Sequence, residues 1–161
     1  MTLWDELIYV ISSQPESEAV GEAFNKAGFL FERSNAHSHD ALWPVDVRQA
    51  PVDDAGRARL REVILTIIRE QPEHPRIVSA FWALSKLEDP SLRAPLELAL
   101  AYYLKHGEPA DRPLGSSVLF QVIVALSSAG VDVFEGSRPD PRDTSALERC
   151  ARRYLTKPAG A

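Results

Sequence analysis

Residues 83–96 read Ala83-Leu84-Ser85-Lys86-Leu87-Glu88-Asp89-Pro90-Ser91-Leu92-Arg93-Ala94-Pro95-Leu96, and their order decides the fold class. An apolar helix closes over Ala83 to Leu87. Asp89-Pro90 then turns the chain. An aspartate accepts hydrogen bonds from the open N–H groups of a new helix, and a proline fits the first turn, where its missing donor costs nothing. A second helix opens toward Leu96. Helix, tight turn, helix is the order of stacked helix pairs, and it implies an architecture without a chemistry.

The helical period recurs on both sides of this stretch. Thr2 and Asp5 form an N-terminal capping pattern ahead of a stripe of Leu3, Trp4, Leu7, Ile8 and Ile11. Pro15, Glu16 and Glu18 open a second helix carrying Ala19, Val20, Ala23, Phe24 and Ala27, with Gly28 placed to end it. From about Asp54 comes a third, striped by Leu60, Val63, Ile64, Ile67 and Ile68 and stopped before Pro72. Pro75 starts a fourth, with Ile77, Val78, Phe81 and Leu84. A fifth holds Leu96, Ala99, Leu100, Tyr103 and Leu104 and ends at Gly107. The sixth, Ser116 to Ala129, is apolar nearly all round and is expected to be the most buried. Asp143 or Thr144 caps the last, striped by Leu147, Cys150, Ala151, Tyr154 and Leu155. The expected fold is all-α, about seven helices in one domain over 1–161, either a short helical-repeat stack or an irregular helical bundle.

An internal repeat supports the stack. Val78 to Ser85 lies over Phe120 to Ser127 at an offset of 42 residues, with Ala-Leu-Ser in register. That period suits repeats built from two helices. The junction Ala83-Leu84 to Leu87, Asp89-Pro90, Leu92-Arg93 and Leu96 to Leu100 resembles a HEAT-type repeat. The resemblance implies that Asp89 caps the turn and that Arg93 bonds to a neighbouring turn. In the second copy Gly130-Val131-Asp132 replaces the Asp-Pro turn, and no arginine follows at the matching place.

Residues 32–53 break the helical pattern. They hold Leu42-Trp43-Pro44-Val45-Asp46-Val47 and two histidines but no stripe, so an irregular, non-helical segment is expected there. Long connections inside compact domains are uncommon and often functional. Charge points the same way. Residues 1–56 carry three basic and ten acidic side chains, a formal −7, against −5 for the whole chain. Such an end repels nucleic acid and is read either as steering a basic partner toward itself or as a solvated surface that keeps the protein soluble. The expected contact residues are Asp40, Trp43, Asp46, Asp53 and Asp54. Trp43 is read either as a binding anchor or as a pin that holds its loop to the core.

Catalytic signals are sparse. His37-Ser38-His39-Asp40 is the one compact group of metal-ligand types, and a metal-dependent hydrolase centred on His37 and His39 is the enzyme alternative. Cys150 shares an apolar stripe with Leu147, Ala151 and Tyr154 and reads as a packed thiol. There is no phosphate-cradling glycine loop and no Gly-x-Ser-x-Gly. Arg57, Arg59, Arg61 and Arg69 share a helix, but their directions diverge and Glu62 and Glu70 intervene, against a nucleic-acid face.

No enzyme activity and no cofactor are therefore expected. With one cysteine, no basic leader and no apolar run long enough to span a bilayer, a cytoplasmic protein without membrane contact is expected. A small, acidic, single-cysteine helical chain is similar to the immunity proteins of bacterial toxin systems. That resemblance implies a protein partner, a cognate and often basic toxin domain, neutralised by being covered. An adaptor or regulatory subunit of another complex is the alternative.

Overall fold

The computed structural model describes residues 1–13, 18–35, 42–110, 112 and 117–158. Among them the protein is all-α, with eight helices and no strand. They are α1 (Leu3–Ser13), α2 (Glu18–Asn35), α3 (Val45–Gln49), α4 (Asp54–Glu70), α5 (Ile77–Ser85), α6 (Arg93–His106), α7 (Val118–Ser128) and α8 (Thr144–Thr156), and a 3-10 turn, Pro90–Leu92, leads into α6. No helix among the described residues is long and apolar enough to cross a membrane.

The caps form where local chemistry demands them. Thr2 and Asp5 make a reciprocal box, the Asp5 N–H donating to Thr2 Oγ1 at 3.3 Å and the Thr2 N–H to Asp5 Oδ2 at 3.1 Å. Asp53 accepts from the Gly56 N–H at 2.8 Å, Ser117 from the Phe120 N–H at 3.1 Å, and Asp143 from the Ala146 N–H at 3.0 Å. Gly107 stops α6 at φ 81°, a conformation open to a residue without Cβ.

The helices stack in two layers. α1, α4, α6 and α8 follow one another in the first, α2, α5 and α7 in the second, and each layer also packs across to the other. Every helix contributes to the buried apolar cluster, from Trp4 on α1 through Val47 on α3 to Leu147 and Ala151 on α8. The 42-residue offset joins α5 to α7, which are successive members of the second layer and pack together extensively. α7 is buried along Val118, Leu119, Val122, Ile123, Ala125 and Leu126, as an all-round apolar helix requires.

Three expectations are corrected. Gly28 does not end α2, which continues to Asn35. It lies mid-helix because a Cβ there would fall 2.4 Å from Cζ3 of Trp82, so the missing side chain makes room for the indole of α5. The segment expected to be non-helical over 32–53 holds the last turn of α2 and the whole of α3, the helix beyond the expected seven. Five residues are too few to show a helical stripe, so periodicity cannot reveal them.

The third correction concerns the turn. Asp89 does cap it, accepting from the Ser91 N–H at 2.9 Å. Arg93, however, pairs with Glu97 of its own helix at 2.8 Å. The neighbouring helix supplies the arginine instead. Arg61 of α4 donates to Asp89 at 3.2 Å and to Ser91 Oγ at 2.7 Å.

Candidate functional site

The 42–54 segment is held from beneath by α2. The Arg33 guanidinium donates to the carbonyl of Val47 at 2.6 Å and also to that of Ala50, closing the open end of α3. Lys26 pairs with Asp46 at 2.7 Å. The Trp43 indole N–H donates to Glu32 at 3.3 Å, and the Arg48 side chain donates back to the Trp43 carbonyl at 3.1 Å. From the α1 side, the Trp4 indole N–H reaches the Pro51 carbonyl at 3.1 Å.

These links sort the segment's apolar residues. Trp43 is only 4% exposed, and Val47 and Ala50 are buried with it. Leu42 is 92% exposed, Val45 55% and Val52 84%. Trp43 therefore pins the segment to the core and offers a partner no apolar surface in this conformation. The exposed apolar side chains are its neighbours in sequence, which composition alone does not distinguish from it.

The acidic candidates divide by role. Asp46 is exposed but tied to Lys26. Burial works to raise its pKa, yet the Lys26 hydrogen bond and charge prevail and hold it below the ordinary carboxylate value. Hydrogen bonding to Asp46 correspondingly raises the Lys26 pKa. Asp53 spends one carboxylate oxygen capping α4. Asp54, beside it, is exposed. Asp40, His37 and His39 lie outside the described residues. The acidic surplus of this end is partly met in space, since Asp5 pairs with Arg59 and Glu32 with Lys86.

Sequence reasoning did not anticipate a second surface feature, a groove of about 580 Å³ between α4 and α6. The two helices run in the same direction and are tied at both ends. Arg61 grips the turn before α6, while the Tyr103 hydroxyl donates to the Pro72 carbonyl at 2.7 Å and that of Tyr102 to Glu73 at 3.2 Å. Between the ties, α6 presents Ala94, Pro95 and Ala99 toward Leu65 and Ile68. Such small side chains cannot fill the space that the end contacts hold open. Leu98, 75% exposed, stands on the rim. The available signal was the run of small residues at helical spacing on α6, but it has meaning only once α4 is known to lie opposite.

Elsewhere the candidates are structural. Cys150 packs against the core with Arg153 at 3.8 Å from its sulfur. Arg59, Arg61 and Arg69 each face a carboxylate. Comparison with known protein families, curated proteins and solved structures finds no match to this chain.

Proposed function

We propose that the protein is a non-catalytic protein-binding module, a cytoplasmic immunity protein that binds and neutralises a basic toxin domain. The observation that carries this reading is the 42–54 segment, in which Leu42 and Val45 project outward beside Asp46 while Trp43, Val47 and Arg33 fix the backbone beneath them. Apolar side chains presented by a backbone already held in place lose little conformational entropy on binding, and that raises affinity. The exposed carboxylate of Asp54 on the same segment and the acidic surplus of the N-terminal third speed encounter with a basic surface and disfavour acidic ones. The two-layer order of the helices supports the HEAT-like reading of the Asp89-Pro90 junction, and stacked helices present faces suited to recognition.

The test is affinity capture with the tagged full-length chain from its host lysate, run in parallel with a Leu42→Asp, Val45→Asp variant. A single basic partner, retained at high salt by the parent chain and lost by the variant at unchanged helical content, is the expected result. Equal retention by both would take the contact away from this segment. Co-purification of abundant housekeeping complexes alone would favour an adaptor over an immunity protein.

A further inference from the structure

We propose that the groove between α4 and α6 is a self-association site, where two copies of this chain pair about a two-fold axis. A two-fold interface needs one surface that is complementary to itself, so every projection must find its recess on the same patch. This patch carries both. Leu98 projects from the rim, and the hollow over Ala94, Pro95 and Ala99 lies beside it. Antiparallel pairing seats the Leu98 of each copy in the hollow of the other.

The charges on α4 follow the same symmetry. Glu62 and Arg69 are both largely exposed, and both border the groove. They are seven residues apart, two turns along one side of the helix. An antiparallel pairing centred near Leu65 brings Glu62 of each copy to Arg69 of the other, so a single pattern on one helix makes two ion pairs across the axis. Within its own chain, among the described residues, each of the two meets a sequence neighbour in an ion pair, Glu62 with Arg61 and Arg69 with Glu70 at 3.9 Å, and both side chains stay largely exposed. A groove made for an unrelated helix has no need of opposite charges placed symmetrically about its centre.

This inference stands apart from the basic-partner reading, because its residues lie on the first layer between α4 and α6 and include none of the 42–54 segment.

Sedimentation equilibrium of the full chain at about 100 µM, where a dimer of micromolar affinity is formed, is the test. The parent is expected to sediment as a dimer, and Leu98→Asp as a monomer with unchanged helical content. Glu62→Arg alone and Arg69→Glu alone should each weaken the dimer at least tenfold. The combined Glu62→Arg, Arg69→Glu variant should recover it, since the exchanged charges meet again across the axis. A monomeric parent, a dimer indifferent to Leu98→Asp, or a combined variant no better than the singles would overturn the proposal.

Discussion

Two joints between neighbouring helices of a layer use small residues to opposite ends. In the second layer α2 turns Gly21 and Gly28 toward α5. Gly28 receives the Trp82 indole, and Gly21 lies against the Arg76 side chain, whose Cδ would be 3.2 Å from an added Cβ. Phe29 adds an edge-on contact to the same indole at 5.4 Å. In the first layer α6 turns Ala94, Pro95 and Ala99 toward α4, but Leu65 and Ile68 do not reach across, and a groove remains. The difference lies opposite the small residue. A glycine facing a tryptophan closes a joint, whereas an alanine facing a leucine across helices held apart at their ends leaves a hollow. Small side chains permit close approach without compelling it.

The largest effect should come from Phe81, which packs edge-on against Tyr103 at 6.0 Å and so supports the tie to Pro72 that closes one end of the groove. Phe81→Ala is expected to cost about 3–5 kcal/mol in chemical denaturation, the range for deleting a fully buried aromatic ring. A cost under about 1 kcal/mol would mean the groove's end is not held from behind.

Placing a leucine on each joint separates the two. Gly28→Leu must push the Trp82 ring aside and should destabilise by about 1–3 kcal/mol, despite leucine's better helix propensity. Ala94→Leu adds the same side chain on the open joint and should change monomer stability by no more than about 0.5 kcal/mol. Equal costs for the two would show that the joints do not differ as described.

The smallest effect concerns the other tie. Burial acts to raise the Asp89 pKa, but hydrogen bonds from Ser91 and the Arg61 charge outweigh it and hold the carboxyl below its ordinary 3.8. A folded pKa below the unfolded value contributes stability that is present above the unfolded pKa and lost as pH falls through the folded one. Asp89→Asn should thus be less stable than the parent at pH 7, by under about 1 kcal/mol for a partly exposed pair. The difference should shrink as the pH drops below about 4. A gap that stays constant with pH would remove charge from the account of this turn.

Much of the fold is legible in the chain because its causes are local. The Thr2–Asp5 box, the Asp53, Asp89 and Asp143 caps and the Gly107 stop each depend on residues within one turn. The α4 stripe of Leu60, Ile64 and Ile68 identifies a buried face by period alone. Gly28 misleads for the same reason. A glycine after an apolar stripe reads as a helix stop, and nothing near it in sequence announces a tryptophan 54 positions away. Arg61 takes the part expected of Arg93, and only the packing of α4 against the Asp89-Pro90 turn brings an arginine onto it.

The functional surfaces divide along the same line. Segment 42–54 stands out in the sequence as apolar, acidic and without period, which is enough to mark it for attention. Which of Leu42, Trp43, Val45 and Val47 face solvent depends on Arg33, Glu32 and Lys26 of α2, and so on a contact between helices. The α4–α6 groove belongs wholly to the tertiary structure, since its walls come from separate helices and its depth from the ties at their ends. By itself the sequence determined the helical class, most of the helix ends and the acidic character of the N-terminal third, through propensity, period and caps that act over a few residues. The tertiary structure alone decided which apolar side chains remain outside, because burial is a property of what lies opposite.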